Sequence, residues 1–405
     1  MRAKRTWVNE EMRVQLTKLV TSIASFIVPT DKKIFLFGAW YGDRFGDNSR
    51  YFFEWLHVNN QALDCYWVTK NPQLAEQLQR QGYKVLYGAG WRSIWLHFRA
   101  QAVFCNCSPE SDLYGEYLNK KTLVFNLWHG SPIKKIGFDA IDSGMASSRL
   151  GFQNRRSGIA ALVPTSIKGF LKQLTEKETY YLASSEKIAK ILASAMGVGR
   201  KKIIVNGYPK LDHLIKDTRQ PVLGNILYAP TYRGEYNSEN DLLSSFGFDV
   251  DAVAQWLEVY QLTLTIRLHP ANNLPQSLIE KLSTQSRIVV GGKGDLYEEI
   301  KNYQLVITDF SSVYYDALAV NIKAVIAPFG LEEYINEDRQ LYYTPQQLFP
   351  YPMANDWPKL LELIPSYLSQ SLDLTEVRNE FYQDKSGQSC QSLWPLIKER
   401  ISKSV

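Results

Sequence analysis

A histidine and two lysines surround a Gly-Ser-Pro turn in the stretch Leu127-Trp-His-Gly-Ser-Pro-Ile-Lys-Lys-Ile-Gly-Phe-Asp139, directly after the apolar run Thr122–Leu127. His129 offers an imidazole whose ordinary pKa lies near working pH, so it can take up or release a proton. Gly130 allows a sharp turn, and Ser131 followed by Pro132 predicts a helix N-cap and first helical residue. Free N–H groups there, with Lys134 and Lys135, favour an anion. Three other apolar runs also end in polar chemistry. Thr231 and Arg233 follow Asn225–Tyr228, His269 follows Leu262–Leu268, and Asp309, Ser311 and Ser312 follow Leu305–Thr308. Arg233 is a forked cationic donor, His269 a second switchable ring, and the two serines open a predicted helix whose hydroxyls and N–H groups can cradle phosphate. Each piece has an ordinary reading as well: a capped helix, a surface arginine, a hydrogen-bonded loop histidine.

The elements that position these residues are short apolar runs alternating with amphipathic stretches, the pattern of parallel sheets covered by helices on both faces. Strands are expected at Lys33–Phe37, Asp64–Thr69, Ala102–Cys105, Thr122–Leu127 and Tyr180–Ala183, then at Lys202–Val205, Asn225–Tyr228, Leu262–Leu268, Arg287–Val290, Leu305–Thr308 and Ala324–Ala327. The Gly- and Lys-rich stretch from Ala195 to Lys202 suggests a boundary near residue 200. Domains are therefore expected at 1–200, with a helical lead over 1–30, and at 201–375, followed by a helical tail over 376–405 that packs back across the junction. In an open parallel sheet, ligands bind beyond the carboxyl ends of the strands, where all four polar sites fall.

A chain of 405 residues exceeds one ordinary core and suits two α/β domains. Its net charge of +5 fits an anionic substrate or a membrane surface without demanding nucleic acid, for which no recognised motif is present. Cys65, Cys105, Cys107 and Cys390 lack metal-type spacing and read as buried thiols of a reducing compartment. No carboxylate cluster has metal spacing, so neither metal nor cofactor is expected. The amino-terminus lacks a signal-peptide core, and no stretch reaches the ~20 apolar residues that span a bilayer.

Taken together, six blocks resemble the CDP-glycerol glycerophosphotransferase family, which makes glycerol-phosphate polymers such as wall teichoic acid and some capsules. They are Gly46-Asp-Asn-Ser-Arg-Tyr, Trp128-His-Gly-Ser-Pro-Ile-Lys-Lys-Ile-Gly, Gly207-Tyr-Pro-Lys-Leu-Asp, Tyr228-Ala-Pro-Thr-Tyr-Arg, Arg267-Leu-His-Pro and Thr308-Asp-Phe-Ser-Ser-Val-Tyr-Tyr-Asp, in the family's order. The likeness spans roughly Lys33 to Gln388, and Leu331-Glu-Glu-Tyr with Leu341-Tyr-Tyr extends it. Gly330 departs from the pattern, standing where an acidic residue is expected. The resemblance implies a GT-B architecture, two Rossmann-like domains with parallel sheets facing a cleft.

It also implies a reaction in which an acceptor hydroxyl attacks the β-phosphorus of CDP-glycerol and expels CMP. His129 is then the candidate base and His269 a second catalytic candidate. Arg233, Ser311, Ser312, Asp309, Thr231, Lys210 and Gly207 fall on the donor-phosphate side, and Gly130, Ser131, Lys134, Lys135 and Asn48 on the acceptor side. Acceptors of the family are lipid-linked or polymeric, implying a cytoplasmic protein at the inner face of the membrane. Candidate membrane contacts are Trp91, Ile94, Trp95 and Phe98 with Arg92 and Arg99, the segment Trp7–Val28, and the region 140–160 with Arg149, Arg155 and Arg156. Alternatives are a GT-B transferase using CDP-ribitol or a nucleotide sugar, and a non-catalytic phosphopolymer binder.

Overall fold

The computed structural model describes residues 2–142, 174–231, 233, 238–239, 241–268, 272–292 and 294–404. Among the described residues, fourteen strands form two main sheets, both wholly parallel, and one two-stranded ribbon. The first sheet contains β1 (Asp31–Phe37), β2 (Asp64–Thr69), β3 (Val85–Tyr87), β4 (Ala100–Cys105), β5 (Leu123–Asn126), β6 (Thr179–Ala183) and β7 (Ile203–Val205), in the order β3-β2-β1-β4-β5-β6-β7. The second contains β8 (Val222–Tyr228), β10 (Thr263–Ile266), β12 (Ile288–Val290), β13 (Tyr303–Thr308) and β14 (Lys323–Ile326), in the order β12-β10-β8-β13-β14. β9 (Ser238–Glu239) and β11 (Asn272–Asn273) make the ribbon.

Every residue of β4 and β5 is buried, which explains why they are apolar apart from Gln101, which accepts from Thr30, and Asn126, which donates to the Cys107 carbonyl: helices cover both faces of the sheet, so no alternation survives. Phe37 and Phe104 stack in the middle of the first sheet with centroids 4.4 Å apart, and Phe104 stacks on Phe125 at 5.3 Å. Each sheet reverses its winding once, between β1 and β4 in the first and between β8 and β13 in the second. Crevices open at such reversals because successive crossover connections leave in opposite directions.

Two expectations need correction. The run Lys202–Val205 does not begin the second sheet: β7 pairs with β6, so the first unit continues past residue 200 to at least Val205. Nor does a helix start at Ser131. Residues 131–135 run as an irregular strand-like segment, and the next helix is Gly137–Asp142. The reason is pairing across the domains: Lys134 bridges Leu341 antiparallel, the Lys135 N–H donates to the Gln340 carbonyl at 2.8 Å, and the Tyr342 N–H donates to the Ile133 carbonyl at 2.8 Å.

The carboxyl-terminal helices Thr375–Phe381 and Ser389–Lys403 return to the first sheet's side. Asp212 accepts from the N–H groups of Ser389 and Cys390, both at 2.8 Å, and the Trp394 ring meets Phe35 edge-on at 5.9 Å.

Candidate active site

His129 sits just beyond β5, beside the end of β4. Its Nδ1 lies 3.1 Å from the Asn106 carbonyl, an acceptor only, so the neutral ring must carry its proton on Nδ1 and present a lone pair at Nε2. Trp128 stacks on one side of the ring at 4.8 Å, and Trp40 approaches at 5.8 Å. Burial pushes the imidazole pKa down to about 4, the Asn106 bond opposing and nearby Lys210 and Lys134 adding to the fall. The ring is therefore neutral near pH 7. Trp40, Tyr41, Asp47 and Trp128 all hold positive φ around this corner, backbone strain of about 1–3 kcal/mol each that surrounding packing must sustain.

Gly130 is one of the places where the two domains touch. With φ of 150°, it would place a Cβ 2.7 Å from the Ser312 Cβ, so only a residue without a side chain lets the two motifs meet. Ser312 and Ser311 begin the helix Val313–Ala319 after β13 and remain partly exposed. The Ser311 hydroxyl accepts weakly from the Val313 N–H at 3.4 Å, and Ser312 makes no capping bond.

Across the β8/β13 reversal, Asp309 orders the donors. Its Oδ1 accepts from the Thr231 N–H at 2.7 Å and the Phe310 N–H at 2.6 Å, while its Oδ2 accepts from Arg233 at 3.1 Å. Arg233 also donates to the Phe329 carbonyl at 2.6 Å and lies among the rings of Phe246, Tyr334 and Phe310. Its Nε and the Thr231 Oγ1 are buried without a partner among the described residues. Gly330 has φ of 62°, and a Cβ there would lie 3.0 Å from the Arg233 Nη1 and 2.9 Å from the Phe246 ring; its departure from the expected acid makes room for this arginine.

Beneath the seam lies a buried hub of charge. Lys210, fully enclosed, donates to the His129 carbonyl at 3.0 Å, Tyr297 Oη at 2.6 Å and Asp316 Oδ2 at 3.0 Å, with Asp47 at 3.5 Å. Burial alone would depress the lysine, but Asp316 and Asp47 outweigh it and its pKa is raised. Burial lifts Asp47 to about 7 despite Lys210. For Lys134 the nearby Asp309 and Asp338 raise the pKa but do not outweigh burial. Burial and the neighbouring Arg339 lower its pKa to about 8, and neither side chain has a hydrogen-bond or ion-pair partner among the described residues.

Several sequence candidates thus turn out to be framework. Lys210 is engaged by two carboxylates, Tyr297 and the His129 carbonyl, bonds that tie the two sides of the seam. Asn48 is fully buried, donating to the carbonyls of Leu127 and Trp128 and accepting from the Lys210 N–H. The Ser131 hydroxyl pairs with Ser184 at 2.9 Å in the core, and Gly207 packs against Ser389 and Asp384 of the tail. Lys135 donates to Gln340 Oε1 at 2.9 Å. His129, Gly130, Thr231, Arg233, Asp309, Ser311, Ser312 and Lys134 converge around the seam. His269, Arg149, Arg155 and Arg156 lie outside the described residues.

Asn106, Tyr297, Asp316 and Arg339 were given no role from the sequence. Asp316 had a legible signal, since it stands four residues beyond Ser312 on one helix face. The role of Asn106 lies in its backbone carbonyl, which residue type does not reveal.

A family profile described as CDP-Glycerol:Poly(glycerophosphate) glycerophosphotransferase matches residues 20–397. The chain belongs to that family. It is accordingly a transferase of glycerol phosphate from CDP-glycerol. Among its relatives, the teichoic acid glycerol-phosphate transferase of Staphylococcus aureus is 24% identical over 390 residues, covering 91% of this chain and 93% of that one. The teichoic acid poly(glycerol phosphate) polymerase of Bacillus spizizenii is 22% identical over 410 residues, covering 97% and 98%. A solved structure of the wall teichoic acid polymerase TagF superposes with a TM-score of 0.70 at 17% identity, covering 99% of this chain and 97% of that one, which places the fold in the GT-B class.

Proposed function

We propose that this glycerophosphotransferase joins glycerol phosphate to the terminal hydroxyl of a lipid-linked or polymeric teichoic-acid-like acceptor at the inner face of the cell membrane. The acceptor oxygen attacks the β-phosphorus of CDP-glycerol, an O–P bond forms, the bridging O–P bond breaks, and CMP leaves with the electron pair. His129 Nε2 takes the hydroxyl proton and passes it to solvent after CMP departs. Because such transfer needs positioning and charge stabilisation more than covalent help, the protein's work is to hold the diphosphate and aim the ring. Arg233, Thr231, Ser311 and Ser312 face the donor phosphates from the second domain, and Lys134 adds a cation from the first. The sequence places His269 on the donor side as well.

The observation that carries this reading is the imidazole fixed on the Asn106 carbonyl at the seam where Gly130 meets Ser312, so that base and phosphate donors from different domains share one place. The test is CMP release and product mass with CDP-glycerol and a defined lipid-linked acceptor, CDP-ribitol serving as competing donor. His129→Ala should abolish CMP release while leaving calorimetric CDP-glycerol affinity within about threefold. Turnover at the wild-type rate would remove the ring from the reaction.

A further inference from the structure

Asp112 ends the short helix Pro109–Asp112 that follows β4, and its side chain is completely buried. Its Oδ2 accepts from two consecutive backbone N–H groups, those of Asn106 and Cys107, each at 2.8 Å. Its Oδ1 accepts from the Tyr41 N–H at 2.9 Å and the Ser111 hydroxyl at 3.1 Å. Each of these partners is a donor, so the cradle fits the ionised form even though burial raises the carboxyl pKa. Gly38 lets the chain after β1 press against this residue, since a Cβ there would run into the Asp112 carbonyl. The titratable neighbours are Lys70, which Asp112 and Glu116 draw toward its charged form against burial, and the Cys105 and Cys107 thiols, which burial and Asp112 push well above their ordinary value. Lys70 Nζ donates to the Ser111 carbonyl at 2.6 Å, and Glu110, on the same short helix, pairs with Lys18 at 2.7 Å.

The Cys107 N–H and the Asn106 carbonyl belong to one peptide unit. On one side that unit donates to Asp112, and on the other it accepts from His129 Nδ1 at 3.1 Å. Carboxylate, peptide and imidazole therefore stand in a single file, in which a negative acceptor on the N–H deepens the partial charge on the carbonyl oxygen. The Asn106 side chain fixes the unit from a third direction, its Oδ1 accepting from the Ser49 hydroxyl and, at 3.3 Å, from the Ser49 N–H. Asp112 also braces the strained Trp40–Tyr41 corner, whose indole flanks the ring. A carboxylate touching the imidazole would favour the cation at rest. Set one peptide away, it leaves the resting ring neutral and acts when Nε2 becomes protonated.

We infer that Asp112 is a positioning residue of the transfer: through the Asn106–Cys107 peptide it holds the His129 Nδ1–H and stabilises the imidazolium formed when Nε2 takes the acceptor's proton. The Nδ1 proton stays on the ring and the carboxylate stays ionised throughout. The inference rests on the reading of His129 as the base. Two hydrogen bonds and the width of one peptide bring the charge within about 8 Å of the ring, worth roughly 30-fold in proton affinity at an effective dielectric of about 20. Asp112→Asn, which keeps the side chain's size, should lower kcat for CMP release by about that factor while calorimetric CDP-glycerol affinity stays within about threefold. Ligand-free wild type supplies a second measurement, magnetic resonance with isotope-labelled histidine and aspartate: the His129 Nδ1 proton signal should shift as the Asp112 carboxyl titrates. A kcat within about threefold of wild type in folded Asp112→Asn, a donor affinity that falls as far as kcat, or an Nδ1 signal indifferent to the Asp112 titration would each overturn the inference. Failure of the base reading would show separately, as wild-type turnover in His129→Ala with the Nδ1 response of the wild type intact.

Discussion

Replacing His129 by asparagine should flatten the acid side of the protein's stability curve. In the folded state the imidazole pKa sits at about 4, against 6.5 for the ordinary ring, because burial disfavours the cation and Lys210 and Lys134 repel it. As pH falls below 6.5 the unfolded chain takes up the proton first, so stability present above 6.5 drains away until the folded pKa is reached. At ~1.4 kcal/mol per pH unit, the full window is worth about 3 kcal/mol, and the part between pH 7 and pH 4.5 about 2 kcal/mol. Urea unfolding of wild type and His129→Asn at those two pH values measures the difference directly. His97, also buried and held at about 4, gives a slope of the same sign in both proteins and cancels. The kinetic counterpart is an acid limb in kcat/KM that begins below pH 5 rather than near 6.5, since the free enzyme keeps its Nε2 lone pair. A pH slope identical in the two proteins within about 0.5 kcal/mol would refute the claim that this ring is held neutral by its surroundings.

Lys134, lowered to about 8, should give the free enzyme a basic limb in kcat/KM near that pH; Lys134→Arg should push the limb upward, as a pH-rate profile will show. Lys210→Met leaves Asp47 and Asp316 buried without their cation and should cost about 3–5 kcal/mol in urea unfolding. Gly130→Ala forces its methyl against Ser312 and should lower kcat by at least tenfold with the donor dissociation constant less affected, measured by CMP release and calorimetry. Arg233→Ala removes charge-assisted bonds of about 1.5–3 kcal/mol and should weaken CDP-glycerol binding by roughly 10- to 150-fold by calorimetry.

The sheets are legible because strands buried on both faces must be apolar along most of their length, as Ala102–Cys105 and Leu123–Phe125 are. β3, Val85–Tyr87, is as short as β7 and β12 but lacks their β-branched Ile-Ile-Val and Ile-Val-Val character and ends on an exposed tyrosine, so no strand pattern marks it. The Lys202–Val205 run has a strand's residues, but its place beside β6 in the first sheet is not legible locally, since partner choice depends on contacts distant in sequence. His129 and Arg233 stood out by residue type at the ends of strands. Lys210, Asn48 and Ser131 look like ligand groups in a sequence, and only the structure reveals that backbone carbonyls, carboxylates and a neighbouring serine engage them. The Ser131-Pro132 signature of a helix start likewise yielded to pairing with residues 340–342 of the other domain, a partner no local pattern specifies.

The enclosed lysine at the base of the seam constrains how the molecule can move. Lys210 is bonded to Asn48 and His129 on the first sheet's side and to Tyr297 and Asp316 on the second's, and drawing these apart would strand opposite charges in a medium that screens them poorly. Any movement that leaves these pairs intact turns about this point, like a jaw on its joint.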